Sequence, residues 1–105
     1  MIIRRDKMKT VFFIPRENYS KAKNLVYGDD IVSRQSLNFR ESKALGLEKD
    51  GYYLEIDGSE ESVKRLKEIL KDIGKEVDKK EREEVLKKIS EQEESAAQGF
   101  GSIFG

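Results

Sequence analysis

The sequence feature that most limits the possible folds is an amphipathic segment just past the middle of the chain. Asp57 or Ser59 can cap the amino end of a helix there, and Gly74 can end it. A helix with one apolar stripe has to bury that stripe against another layer of structure, so the rest of the chain must supply that layer. The stripe consists of residues at helical spacing: Val63, Leu66, Ile69, Leu70 and Ile73.

Segments that favour β-structure supply the second layer. Residues 2–3 and 10–14 are predicted to form an opening hairpin with its turn at residues 4–9, and Pro15 ends the second strand. The alternating segment 31–40 and the segment 52–56 are predicted to be two further strands. Between the opening hairpin and the segment 31–40, a short helix is predicted over 17–27, with Tyr19, Ala22 and Val26 on one face.

This order of elements predicts an α+β fold. We expect residues 1–75 to form a small, mainly antiparallel sheet with helices on one face, an incomplete ferredoxin-like arrangement. A capping box from Asp78 to Glu81 opens a charged helical arm over 76–94, whose thin apolar face would hold it only weakly to the core. So few strands leave a face or an edge of the sheet uncovered, which predicts homodimerisation sheet to sheet.

Composition excludes several classes of protein. Only 36% of the 105 residues are hydrophobic, and Cys and His are both absent, so there is no disulfide framework, no thiolate metal site and no imidazole base. No glycine-rich phosphate loop is present. The acidic residues Asp29, Asp30 and Asp57 are typical of turns. We expect a protein that is not an enzyme and uses no cofactor and no metal.

Two further absences bear on location. The apolar runs are too short to span a bilayer, and no signal-peptide segment follows Met1. The sequence therefore predicts a cytoplasmic protein with no membrane partner.

Charge is unevenly distributed along the chain. Residues 1–49 contain 11 Lys and Arg against 6 Asp and Glu, whereas residues 50–105 contain 10 against 15, and the whole chain has zero net charge. Such polarity points to a nucleic acid on one side and a protein on the other. An ordinary solvated surface in a protein rich in Lys and Glu is the alternative.

Basic side chains in the first half of the chain are the candidates for contact with RNA or the ribosome. Arginines on a sheet surface can bind phosphates through two hydrogen bonds, although a salt-bridged surface is again the alternative. Tyr52 and Tyr53 are candidates for stacking on bases, but strand alternation turns one of them toward the core. The basic candidates are Arg4, Arg5, Lys7, Lys9, Arg16, Arg34 and Arg40.

The segment 95–105 forms an apolar tail after an acidic stretch. If residues 96–104 are helical, Phe100, Ile103 and Phe104 lie on one stripe. Gly99 and Gly101 keep such a helix marginal, because each glycine costs about 1 kcal/mol relative to alanine. A flexible segment that becomes helical on docking into an apolar groove fits this pattern.

The tail resembles a known one. Residues 99–105, Gly-Phe-Gly-Ser-Ile-Phe-Gly, are similar to the ends of the acidic ribosomal stalk proteins of archaea and eukaryotes, which follow a glutamate-rich linker. In that family the tail binds translation GTPases and related ribosome factors in an apolar pocket. The resemblance implies that Phe100, Ile103 and Phe104 are inserted into such a pocket. It covers about the last dozen residues, because the helical dimerisation domain and the alanine-rich hinge of stalk proteins are absent.

Two hypotheses follow. The first is a ribosome-associated translation regulator, such as an archaeal ribosome dimerisation or hibernation factor. In this hypothesis the tail docks on a translation factor or the ribosome, and the basic half of the chain contacts rRNA. The enrichment in Lys and Glu is typical of hyperthermophiles and fits an archaeal source. The second hypothesis is a homodimeric ferredoxin-like regulatory or ligand-binding module with the tail folded back on the sheet.

Overall fold

The structure is a computed structural model that describes the backbone of residues 7–104 and the side chains of residues 8–94. Seven main elements follow one another along the chain, with 3-10 turns at Arg16–Asn18, Val32–Arg34 and Lys43–Leu45. The elements are β1 (Lys7–Pro15), α1 (Tyr19–Gly28), β2 (Ser36–Glu41), β3 (Gly51–Ser59), α2 (Glu60–Ile69), β4 (Lys75–Glu76) and α3 (Lys79–Phe104).

The four strands form one antiparallel sheet in the order β2-β3-β1-β4. Together with the β-α-β-β-α-β order of elements, this is a ferredoxin-like arrangement whose last strand is reduced to two residues. The predicted α+β fold with a mainly antiparallel sheet is confirmed. No helix among the described residues is long and apolar enough to cross a membrane.

The first face of the sheet packs against α1 and α2. Pairing places Phe12 of β1 opposite Leu54 of β3, and Leu54 opposite Phe39 of β2, so that one apolar row crosses three strands. The predicted apolar faces of both helices are buried on this row, which confirms these two helices and their orientation. The fully buried helical residues on this face are Ala22, Val26, Val63 and Leu66.

The second face of the sheet packs against the first part of α3. Val85 and Ile89 of this helix are 0% and 3% exposed and contact Val11 and Tyr53. We expected only weak packing from this segment, and its burial has a physical reason. Leu45 and Val77, which lie outside the helix, enlarge the apolar surface that the two side chains cover, so a narrow stripe is sufficient.

Two predicted strand boundaries were wrong. Residues 7–9 were expected in a turn, but they begin β1 and pair with β3, and the strand predicted at residues 2–3 lies outside the described residues. Residues 31–35 were expected in a strand, but Val32–Arg34 form a 3-10 turn and β2 begins only at Ser36. The Asp29 carboxylate accepts hydrogen bonds from the backbone N–H groups of Ile31 (3.1 Å) and Val32 (2.9 Å), which favours a turn over a strand.

At both predicted helix caps, the side chain of the capping residue accepts a backbone hydrogen bond, as the sequence indicated. Ser59 Oγ accepts from the Ser62 backbone N–H at 3.1 Å, and Asp78 Oδ1 accepts from the Glu81 backbone N–H at 2.8 Å. The Glu81 carboxylate, which the capping box would direct back to Asp78, instead accepts a hydrogen bond from the Tyr53 hydroxyl.

The burial of Ile89 predicts a large effect of truncating it. Ile89→Ala is expected to lower the free energy of unfolding by about 2 kcal/mol or more, because the substitution leaves a cavity between α3 and the sheet. Urea unfolding monitored by circular dichroism measures the change. The exposed Lys87→Ala is the matched control and is expected to have little effect. Equal stability of both variants would mean that α3 does not pack on the sheet.

A buried hydrogen bond between β1 and β4 predicts a pH dependence of stability. Burial raises the pKa of Glu76, but the Thr10 hydroxyl at 2.6 Å and the Lys67 ammonium at 3.0 Å outweigh burial and lower this pKa below its ordinary value. Stabilisation by Glu76 is therefore fully present above the ordinary pKa of 4.5 and is lost as the pH falls through the lowered pKa.

Thr10→Val removes this hydrogen bond, so the loss of stability between pH 7 and about pH 3 is expected to be smaller than in the unsubstituted protein. Thr10→Ser keeps the hydroxyl and serves as the control. Urea unfolding at the two pH values measures the loss, and an identical loss in the valine variant would contradict the assigned role of Thr10.

Candidate functional site

The backbone of α3 continues into the predicted docking tail. The helix extends to Phe104, so the positions of Phe100, Ile103 and Phe104 have the helical backbone that a shared stripe requires. The side chains of these three residues lie outside the described ones. Their role in docking therefore stays a prediction.

The last turn of α3 with described side chains contacts β2 and the 3-10 turn after it. Arg40 Nη2 lies 3.3 Å from Glu93 Oε2, and Gln92 Nε2 donates a hydrogen bond to the Ala44 carbonyl. From Glu93 the helix runs 11 residues further to Phe104. At 1.5 Å per residue, this length of helix backbone measures about 16 Å.

The structure does not bring the described basic candidates together. Lys9 and Arg40 lie on the second face of the sheet, Arg16 follows β1 beside α1, and Arg34 lies in the turn before β2. Arg4 and Arg5 lie outside the described residues, as does the side chain of Lys7, which begins β1.

Each of the four described basic candidates has a carboxylate partner. Arg16 contacts Glu41 at 2.6 Å and Asp50 at 2.8 Å, and these hydrogen bonds raise the pKa of its guanidinium. An arginine held in this way has to lose its carboxylates before it can bind a phosphate. The remaining pairs are Lys9–Glu55 at 3.7 Å, Arg34–Asp30 at 3.2 Å and Arg40–Glu93 at 3.3 Å.

The rings of the two tyrosines proposed for base stacking both pack against other side chains of the protein. Tyr52 stacks on Tyr19 with ring centroids 3.6 Å apart, the Arg16 guanidinium lies 5.6 Å from the Tyr52 centroid, and Lys23 lies 5.4 Å from that of Tyr19. Tyr53 is only 2% exposed. This stack joins the start of α1 to the start of β3 through aromatic and cation–π contacts, and the rings of Tyr52 and Tyr53 are both packed within the fold.

A polar cluster that the sequence did not indicate lies where α3 begins. The Tyr53 hydroxyl donates to Glu81 Oε2 at 2.7 Å, and Lys49 Nζ lies 2.8 Å from the same oxygen and 4.9 Å from the ring centroid of Phe13. Burial, and then the Glu81 carboxylate, raise the pKa of the Tyr53 phenol, so this group stays protonated at neutral pH. The cluster joins β3, and Lys49 just before that strand, to the first turn of α3 through one hydrogen bond and one ion pair to Glu81.

A cleft of ≈ 400 Å³ opens beside this cluster, between β4 and the first turn of α3. Phe13 and Val77 form part of its apolar wall, and Lys49, Asp78 and Glu81 lie at its polar end. Its volume is in the range of small-molecule sites. Sequence reasoning missed it because Lys49, Tyr53 and Glu81 come together only through the packing of α3, and no local pattern signals that contact.

No family model matches this chain, and no curated protein or solved structure shows a significant similarity to it.

The hydrogen bond between Tyr53 and Glu81 predicts a measurable contribution to stability. Tyr53→Phe is expected to lower the free energy of unfolding by about 1.5 kcal/mol, because a hydrogen bond from a buried hydroxyl to a carboxylate is lost. Thermal unfolding measures the loss. Tyr27→Phe at a half-exposed position is the control and should be nearly neutral. No difference between the two variants would show that the phenol contributes nothing to holding α3.

Proposed function

We propose that the protein is a ribosome-associated translation regulator that docks through the stalk-like segment 95–105. The observation that carries this proposal is the position of that segment. It continues the backbone of α3 without interruption, and its sequence resembles the tail with which stalk proteins bind translation factors.

The covering of the sheet supports this proposal over a tail that folds back. In a four-stranded sheet with helices on one side, the opposite face needs a cover, and the tail was one candidate for it. Val85 and Ile89 already cover Val11 and Tyr53 on that face. Burial of these sheet residues therefore does not require the tail.

A contact with rRNA remains part of the proposal, but it involves fewer residues than the seven basic candidates of the sequence. Arg16, Arg34 and Arg40 are each engaged by a carboxylate within 3.3 Å, whereas Lys9 is 51% exposed and its partner Glu55 lies 3.7 Å away. We place the contact at Lys9 of β1 and at the basic residues that precede it in the sequence, Arg4, Arg5 and Lys7. Lys9 can bind a phosphate without breaking a short ion pair.

A homodimer of such a protein would present two identical tails. Two-fold symmetry gives each copy the same docking end, so one dimer can join two ribosomal particles. Ribosome dimerisation or hibernation is the form of translation regulation that this geometry supports best.

Sucrose-gradient sedimentation with archaeal ribosomes tests the proposal. We expect the protein to migrate with a ribosomal subunit or to shift it to a heavier particle, and we expect Phe100→Ala combined with Phe104→Ala to reduce this at least tenfold. Ser102→Ala lies in the same segment outside the apolar stripe and is the matched control. Absence of the unsubstituted protein from every ribosomal fraction at low salt would refute a ribosomal role.

The second candidate is a regulatory module that binds a small ligand in the cleft beside Lys49 and Glu81, with the tail folded onto the domain. The cleft of ≈ 400 Å³ is the observation that favours it. Thermal unfolding of the same tail variants separates the candidates. A docking tail leaves stability nearly unchanged, whereas loss of two buried Phe side chains costs several kcal/mol, of the order of 3 to 5 for each.

A further inference from the structure

Strand β2 is an open edge of the sheet. It pairs with β3 on one side, and among the described residues no strand pairs with its other side. Its six residues, Ser36–Glu41, are joined by Gln35, whose backbone is also extended (φ −88°, ψ 171°). The Gln35 N–H donates to the Val32 carbonyl at 3.0 Å, so the row of unpaired backbone groups lies along Ser36–Glu41, and such a row is a template for another strand.

The side chains of β2 alternate between the two faces. Leu37 and Phe39 pack against the core under α1, whereas Asn38 and Arg40 lie on the face of α3. The strand is therefore apolar on one face and polar on the other, and a partner strand has to match this alternation to avoid placing apolar side chains opposite charged ones.

One antiparallel register makes β2 complementary to itself. With a two-fold axis at Asn38, Leu37 of one copy lies opposite Phe39 of the other, Ser36 opposite Arg40, and Gln35 opposite Glu41. Apolar residues then meet on the face of α1, and no like charges are opposed. Moving the axis to Phe39 would instead place Leu37 opposite Glu41.

Exposed apolar side chains lie beside the same edge. Tyr27 at the end of α1 is 51% exposed, and its ring centroid is 6.0 Å from that of Phe39. Ile31 is 37% exposed in the turn that leads into β2. In an edge-to-edge dimer, these side chains of the two copies approach each other over the joined sheet and lose contact with water.

We propose that the partner of this edge is a second copy of the same chain, and that two β2 strands pair antiparallel about Asn38 to form one eight-stranded sheet. This assigns the predicted homodimer to an edge, since α3 covers Val11 and Tyr53 on the sheet face. The assignment does not depend on the ribosomal role, because it is tested on the isolated protein.

The absence of cysteine from the chain allows a direct test by disulfide formation. Residues directly opposite in an antiparallel pair have Cα atoms about 4.5 to 5.5 Å apart, which suits a disulfide. Asn38→Cys is therefore expected to give a covalent dimer as the main product of mild oxidation under native conditions, measured on a non-reducing gel.

Neighbouring positions fix the register. In the proposed dimer, the two copies of residue 36 are more than about 13 Å apart, and so are the two copies of residue 40. Ser36→Cys alone and Arg40→Cys alone are therefore expected to cross-link no faster than the exposed control Lys64→Cys, while a mixture of the first two cross-links readily.

Light scattering on the unsubstituted protein provides the independent measurement, with an expected mass of twice 12.1 kDa. A monomer at several hundred micromolar, or cross-linking of Asn38→Cys at the rate of the Lys64→Cys control, would overturn the proposal. A dimer in which only another position cross-links would overturn this edge as the interface. Circular dichroism confirms that each variant is folded.

Discussion

Burial of both faces of β1 is the constraint on which the rest of the structure depends. Phe12 and Ile14 face α1 and α2, Val11 faces α3, and all three are at most 1% exposed. A strand in this position needs a strand neighbour on each side and a helix layer on each face. The two-residue strand β4 supplies the second strand neighbour of β1, and α3 supplies the second helix layer. A chain with only 36% hydrophobic residues thus obtains two small apolar layers from one central strand.

Local sequence patterns predicted the helices whose apolar residues recur at helical spacing. Ala22 and Val26 marked α1, and Val63 and Leu66 marked α2, because each pair or stripe already follows helical spacing. The same reasoning failed for residues 31–35. Their alternation resembles a strand, but the carboxylate of Asp29 binds the backbone that a strand would need. A single side chain to backbone contact outweighed a pattern spread over five residues.

The candidate site was harder to predict, since it depends on contacts between distant segments. The positive charges of residues 1–49 suit RNA when the sequence is considered alone, but folding brings Glu41 and Asp50 to Arg16, and Glu93 to Arg40. Exposed ion pairs of this kind add little stability individually. Their larger effect here is to pair each basic side chain with an acidic one. The excess of positive charge in residues 1–49 therefore does not form one basic patch among the described residues.

The position of α3 links the fold to the proposed function. The same helix covers the second face of the sheet with Val85 and Ile89 and continues into the stalk-like segment, so the proposed docking would use a different part of the helix from the packing. Side chains that contact the sheet fix the direction of the helix axis relative to the sheet. If two copies join at β2, the sheet between them fixes the relation of the two helices as well. In the proposed function, two docking segments held in this way would raise each other's effective concentration at a paired target, and weak individual contacts would then be enough to hold two particles together.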